Sequence, residues 1–188
     1  MRVTETTLPG VLLLEPKVLR DERGAFLETF SEERYASFGV HGPFVQDNVS
    51  TSCKGVLRGL HFQNPRPQGK LVSVLRGAAF DVAVDLRVGA PTFGKWFAAR
   101  LSAENGHQLW VPAGFAHGFL SLTGDTVFHY KCTDTYAPGT EASIAWNDPD
   151  VGIQWPLAEA GVASPLMSAK DTAAPRLRDV PGERLFAK

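Results

Sequence analysis

The sequence predicts a mainly β chain folded as an antiparallel sandwich or barrel, with a few short helices. Three observations carry this expectation. Several short segments alternate apolar and polar residues with period two, the mark of a strand buried on one face. The 18 glycines and 13 prolines recur along the chain and divide it into short pieces instead of long helices. The length, 188 residues, suits one domain at a prior of roughly 150 residues each, and 1–188 is read as a single unit without repeat or linker.

Composition narrows the function classes. A hydrophobic content of 44% with 21% charged residues is enough apolar material for a core, so disorder is not expected. With 19 Lys and Arg against 20 Asp and Glu, the net charge of −1 offers no electrostatic basis for binding nucleic acid. No apolar run approaches the roughly 20 residues that span a bilayer. The run at 11–14 ends at Glu15-Pro16 and lacks a basic leader, so neither membrane association nor a signal peptide is expected, and the location reads as cytoplasmic. Cys53 and Cys132 suggest neither a zinc site nor a disulfide framework.

Taken in order, Asp21 to Gly24 reads as a turn, and residues 31–38 as the best helix of the first half. Ser31 is placed to cap that helix, and Glu32 and Glu33 suit its first turn. Gln46, Asn48 and Ser50 share one face of a strand. Arg58-Gly59-Leu60-His61-Phe62-Gln63 is strand-like. Regular pleating would send Arg58 and His61 to opposite faces, and Gly59 is where a bulge would bring them together. Residues 80–87 alternate most cleanly, with Phe80, Val82, Val84 and Leu86 on one face and Asp81, Asp85 and Arg87 on the other. Turns follow at 89–91, 106, 112–114 and 124–125. In 127–133, Phe128, Tyr130 and Cys132 face one way and His129 and Lys131 the other. Beyond Trp146 proline-broken segments read as short helices and loops packed over a sheet edge.

Of the five histidines (41, 61, 107, 117 and 129), two fall in patterned surroundings. Gly55-x5-His61-x-Gln63 and Gly106-x5-Pro112-x-Gly114-x2-His117 resemble the two motifs of the cupin superfamily of double-stranded β-helix, or jelly-roll, barrels. Metal-binding cupins carry a second histidine where Gln63 stands, and a Glu beyond it. Here the next ionisable side chain after Arg66 is the cation Lys70. Two imidazoles beside an ammonium make a poor first-row metal site, so no metal is expected. Residue type alone leaves other roles open. Lys70 begins a strand with its head in water, or it places a fixed charge beside a developing enolate. Asp171 caps a surface helix, or it partners a histidine and fixes its tautomer. Tyr130 is core with a satisfied hydroxyl, or it is a proton donor.

A longer series of motifs resembles the dTDP-4-dehydrorhamnose 3,5-epimerase family. It runs from Asp21-x-Arg23-Gly24-x-Phe26-x-Glu28 through Gln46-Asp47-Asn48-x-Ser50, Arg58-Gly59-Leu60-His61-Phe62-Gln63 and Gln68-Gly69-Lys70. It continues through Asp81-Val82-x-Val84-Asp85-Leu86-Arg87, Pro112-x-Gly114-Phe115-Ala116-His117-Gly118-Phe119 and Tyr130-Lys131 to Trp146-Asn147-Asp148-Pro149 and Ser168-x-Lys170-Asp171. Each piece is weak alone; the ordered series is specific. By this resemblance His61 is the general base oriented by Asp171, Tyr130 the acid on the opposite face of the sugar, and Lys70 the residue that stabilises the enolate. Arg23, Phe26, Glu28, Gln46, Asn48, Arg58, His117, Glu141 and Lys170 match substrate-binding positions, and Tyr136 the aromatic that stacks on thymine.

The resemblance implies a dTDP-4-keto-6-deoxyhexose substrate, dTDP-4-dehydro-6-deoxy-D-glucose, epimerised at C3 and C5 without a cofactor. It also implies a homodimer with strand exchange near the N-terminus. The rival reading keeps fold and substrate class but inverts only one centre. A metal-dependent cupin enzyme and a non-catalytic binding module stand further off, since they would need ligands the chain lacks or leave an acid–base set without use.

Overall fold

A computed structural model describes residues 1–187. Fifteen strands dominate these described residues. They are β1 (Arg2–Glu5), β2 (Leu12–Glu15), β3 (Leu19–Asp21), β4 (Gly24–Phe26), β5 (Gln46–Ser52), β6 (Leu57–Gln63), β7 (Lys70–Arg76) and β8 (Ala78–Asp85). Then come β9 (Arg87–Val88), β10 (Trp96–Ser102), β11 (Gln108–Val111), β12 (Phe115–Ser121), β13 (Thr126–Cys132), β14 (Glu141–Ser143) and β15 (Phe186–Ala187). Two short helices, α1 (Glu32–Ala36) and α2 (Ala169–Thr172), complete the set with three 3-10 turns.

A six-stranded antiparallel sheet in the order β1-β2-β11-β7-β13-β5 faces a five-stranded one in the order β10-β8-β12-β6-β14. This is the jelly-roll barrel expected of the sequence. Its central core interleaves Val72, Val74, Leu109, Val111 and Phe128 of the first sheet with Ala79, Ala83, Leu101, Phe115 and Phe119 of the second. The rings of Phe119 and Phe128 stack across the gap at 4.0 Å between centroids. Such facing layers close because each sheet needs its apolar face covered.

Four expectations about these elements are corrected. The strand over residues 80–87 stops at Asp85, whose carboxylate turns to accept bonds from the Arg87 backbone and guanidinium and from Thr92. Nor is only one of its faces buried. Val82, Val84 and Leu86 pack outward under the C-terminal segment, while Ala79, Asp81 and Ala83 lie against the other sheet. That C-terminal segment covers a face, not an edge. Val151, Leu177 and Val180 close over Leu60, Phe62 and Ala116, an apolar surface that would otherwise meet water. Finally, Ser31 occupies the N-cap position of α1 without a side-chain bond to the helix. Burial of Tyr35 holds that short helix instead, its hydroxyl lying within hydrogen-bond distance of both Gln108 Oε1 at 2.8 Å and Thr29 O at 2.9 Å. No helix among the described residues is long and apolar enough to cross a membrane.

Candidate active site

The site lies between the sheets and opens at the end where β6, β7, β13 and β14 meet. Two adjoining cavities of about 550 and 300 Å³ share His61, Lys70, Tyr130, Tyr136 and Glu141 in their walls. Together they fall within the size range of small-molecule sites.

Gly59 makes the larger cavity possible. Pairing of β12 with β6 slips by one residue, from His117 opposite His61 to Phe119 opposite Arg58. The slip is the bulge anticipated at Gly59, and it brings Arg58 and His61 to the same cavity wall. Gly59 has φ +123, and a Cβ there would sit 2.6 Å from Gly118 Cα and 2.8 Å from His117 O. Only glycine suits that backbone.

At the centre, His61 Nε2 lies 2.6 Å from Asp171 Oδ1. Asp171 is buried in α2, where the Ser168 hydroxyl caps the helix by accepting from the Asp171 backbone N–H. The reading of Asp171 as a surface cap is thereby overturned. Burial alone would raise its carboxyl, but bonds from His61, Ser168 and the Gly59 backbone outweigh this and hold it below the usual carboxylate range. With Nε2 engaged by a carboxylate, Nδ1 remains as the nitrogen able to accept a proton.

Lys70 enters the cavities from the first position of β7, so its head is not in bulk water. Burial pushes its amine below the usual lysine range, against the upward pull of Cys132, Glu141 and Asp81. Tyr130 shares that interior, pushed above the ordinary phenol range first by burial and then by Cys132, with Arg58 pulling the other way. A phenol so placed keeps its proton at neutral pH. His117, buried in the wall of the larger cavity, has its Nε2 2.8 Å from Asp81 Oδ1, a second imidazole–carboxylate pair.

The mouth carries polar and charged groups. Glu141 Oε2 accepts from the Tyr136 hydroxyl at 2.7 Å and from Lys170. Burial would raise Glu141, but these two donors outweigh it and keep the carboxylate ionised. Arg58, exposed at the rim, donates from Nε to Ser52 Oγ and from its terminal nitrogen to Thr51 O. Gln46 and Asn48 line the smaller cavity and bond to each other at 3.0 Å.

Eleven of the 14 residues singled out from the sequence therefore line these cavities: His61, Tyr130, Lys70, Asp171, Gln46, Asn48, Arg58, His117, Tyr136, Glu141 and Lys170. Arg23, Phe26 and Glu28 do not. The β3–β4 hairpin forms its own two-stranded sheet, and Arg23 and Phe26 line a separate groove along it. Arg23 is 85% exposed and paired with Asp21; Phe26 is 70% exposed, and Glu28 bonds Arg34. The paired Leu19 and Phe26 of this hairpin stay exposed on the chain, and Arg20 ties it to the rest of the molecule by donating to Glu104 O. Sequence reasoning overlooked Asp81 as the partner of His117 and treated Gln63 only as a missing ligand. The alternation over residues 80–87 held a signal for Asp81, since two acids on a strand within a barrel sequence need partners. Among the described residues, no three His, Cys, Asp or Glu side chains are grouped to hold a metal ion, and a lysine that shares the cavity with both histidines suits an anion better than a divalent cation.

A histidine oriented by a buried carboxylate, with a cation and a protonated phenol on the same cavity, is equipped to move protons beside a carbonyl. On a jelly-roll barrel this defines the cupin-type isomerases. The chain belongs to the dTDP-4-dehydrorhamnose 3,5-epimerase family, whose model matches residues 5–179. It is 50% identical over 180 residues to the dTDP-4-dehydrorhamnose 3,5-epimerase of Methanothermobacter thermautotrophicus, covering 96% of each chain. A crystal structure of dTDP-6-deoxy-D-glucose-3,5-epimerase RmlC from Legionella pneumophila, in complex with dTDP-4-keto-L-rhamnose, superposes with a TM-score of 0.95 at 48% identity, over 100% of this chain and 98% of that one. The fold is also similar to ChmJ, a 3'-monoepimerase from Streptomyces bikiniensis in complex with dTDP-quinovose, at TM-score 0.84 and 39% identity, over 92% and 86% of the two chains.

Proposed function

We propose that this protein is a dTDP-4-dehydrorhamnose 3,5-epimerase, converting dTDP-4-dehydro-6-deoxy-D-glucose to dTDP-4-dehydro-L-rhamnose by proton removal and return at C3 and C5. The observation that carries the reading is the 2.6 Å contact of His61 with Asp171 on a cavity that also holds Lys70 and Tyr130. The C4 ketone acidifies the hydrogens on both neighbouring carbons, because either carbanion delocalises onto the same oxygen. His61 Nδ1 takes the proton, and the resulting imidazolium is stabilised through Nε2–H by Asp171. The electron pair moves to O4, where the Lys70 ammonium meets the developing charge. The Tyr130 hydroxyl then delivers a proton to the opposite face, inverting the centre, and solvent restores both groups. Each cycle is redox-neutral, so the chemistry closes with these side chains alone.

Arg58 and Lys170 supply cationic donors for the pyrophosphate. Glu141, Gln46 and Asn48 present polar groups beside Tyr136, whose half-exposed ring offers a face to thymine. Arg23, Phe26 and Glu28 reach a cavity only if a second copy delivers its β3–β4 hairpin. The exposure of Arg23 and Phe26 on the isolated chain supports a homodimer in which each hairpin completes the partner's site. The free thiols, exposed Cys53 and buried Cys132, fit a cytoplasmic location.

The similarity to a 3'-monoepimerase keeps a single-centre reaction as the second reading. Incubation with the 4-ketosugar nucleotide in deuterium oxide, with a reductase trapping the product, separates the two. Deuterium with inversion at both C3 and C5 supports the double epimerase. Inversion at one carbon selects the rival, and no exchange at either removes the proton-transfer mechanism.

A further inference from the structure

Tyr136 sits on residues 134–137, a stretch with no regular structure between β13 and the turn that precedes β14. An aromatic ring recognises a base only if its backbone holds still. Side chains from elsewhere in the barrel hold it here, at four consecutive residues. Gln68 Nε2 donates to Asp134 O at 2.7 Å, and Gln63 Nε2 donates to Thr135 O at 3.3 Å. The Tyr136 N–H donates to Gln46 Oε1 at 2.7 Å, and the Ala137 N–H to Gln63 Oε1 at 2.9 Å. The anchored groups are two carbonyls and then two N–H groups on consecutive residues, and amide side chains meet all four.

Gln63 is the centre of this arrangement. It is 4% exposed, and its amide nitrogen also donates to Arg66 O at 2.9 Å, so both of its donors and its acceptor are committed. Flipping the amide would set its oxygen against two carbonyls and its NH₂ against the Ala137 N–H, so one orientation is imposed. The position where a metal-binding cupin places its second histidine thus ties down a loop. At the other end of the ring, Glu141 accepts the Tyr136 hydroxyl, leaving the aromatic side chain anchored at both ends.

We propose that Gln63 and Gln68 are positioning residues for base recognition, fixing residues 134–137 so that Tyr136 is presented to the pyrimidine of a nucleoside diphosphate. The inference rests on the stacking reading of Tyr136 given above. Losing buried amide bonds to a loop that must then be ordered by the ligand weakens binding of that ligand. It leaves the chemical step in place, because His61, Lys70 and Tyr130 stand on strands.

The test compares Gln63→Met, which keeps volume but removes the donors and acceptor, with Gln68→Ala and Tyr136→Ala. Affinity for dTDP and for inorganic pyrophosphate is measured by calorimetry alongside kcat and KM. Gln63→Met is expected to raise the dTDP dissociation constant about tenfold and Gln68→Ala about threefold. Pyrophosphate affinity and kcat stay within about twofold of the parent. In a Tyr136→Ala background neither substitution weakens dTDP further, which a general loss of structure would not reproduce. If Tyr136→Ala weakens dTDP while both glutamine variants bind it normally, the positioning role is wrong and the stacking reading stands. If Tyr136→Ala binds dTDP normally, the stacking reading fails and the glutamine role with it. Should Gln63→Met fail to fold, Gln68→Ala decides by the same criteria.

Discussion

Substituting Gly59 by alanine probes the step by which the fold assembles its site. The new Cβ would lie 2.6 Å from Gly118 Cα and must recede by about 0.8 Å to reach ordinary contact at 3.4 Å. Both neighbours on that side, Gly118 Cα and His117 O, are backbone, so β6 and β12 have to part. Forcing an L-residue to φ +123 costs about 1–3 kcal/mol, and overpacking adds about 1–3 kcal/mol. The sum is about 2–6 kcal/mol, or a fall in Tm of about 4–24 °C for a chain of this size. Because His61 is two residues away, a displacement approaching 1 Å is expected to lower turnover roughly 100-fold. Thermal melting and the rate of deuterium uptake from solvent read the two effects. Gly118→Ala serves as the companion, since its Cβ meets Arg58 O at 2.6 Å without positive φ, and its loss should be the smaller. A Gly59→Ala protein with parental Tm and parental exchange rate would refute the claim that this bulge sets the geometry of the site.

Other consequences are equally accessible. Asp171→Asn replaces a charge-assisted bond to the imidazolium, worth about 1.5–3 kcal/mol, so kcat should fall about 10- to 150-fold with dTDP affinity retained. Because the folded carboxyl of Asp171 is held below its ordinary value, its contribution to stability is present above that value and lost as pH falls through the folded one. The acid-side decline of Tm should therefore be shallower in Asp171→Asn. On the alkaline side, burial lowers Lys70 and raises Tyr130, so loss of the lysine charge moves to lower pH while loss of the phenol proton moves to higher pH. The alkaline limb of kcat should then move to higher pH in any active Lys70→Arg variant, and an unmoved limb would assign it to another group. Mixing His61→Asn chains with Arg23→Ala chains should restore activity through hybrid dimers, each holding one intact cavity completed by an intact hairpin. Absence of restored turnover in mixed, dimeric protein would reject hairpin exchange.

Much of this was legible in the linear chain because its causes are local. Period-two alternation follows from the pleat of a strand, so residues 127–133 reveal that Phe128 and Tyr130 share a face before any partner strand is known. Gly59 announces a bulge because no other residue tolerates its backbone. The ordered motifs carried the family, and with it 11 residues that the fold gathers around one cavity. Tertiary structure decided what local rules leave open. Whether Asp171 caps a surface helix or faces His61 depends on two positions 110 apart in the chain returning to the same place. That both faces of β8 are buried depends on a C-terminal segment whose irregular sequence has no period to read. The use of Gln63 as an anchor for a loop seventy-odd residues away is likewise invisible in its own neighbourhood. Residue order determines how each short segment is shaped and which chemistry it can bring. Packing alone determines which segments meet, because burial rewards contact between surfaces however far apart they lie along the chain.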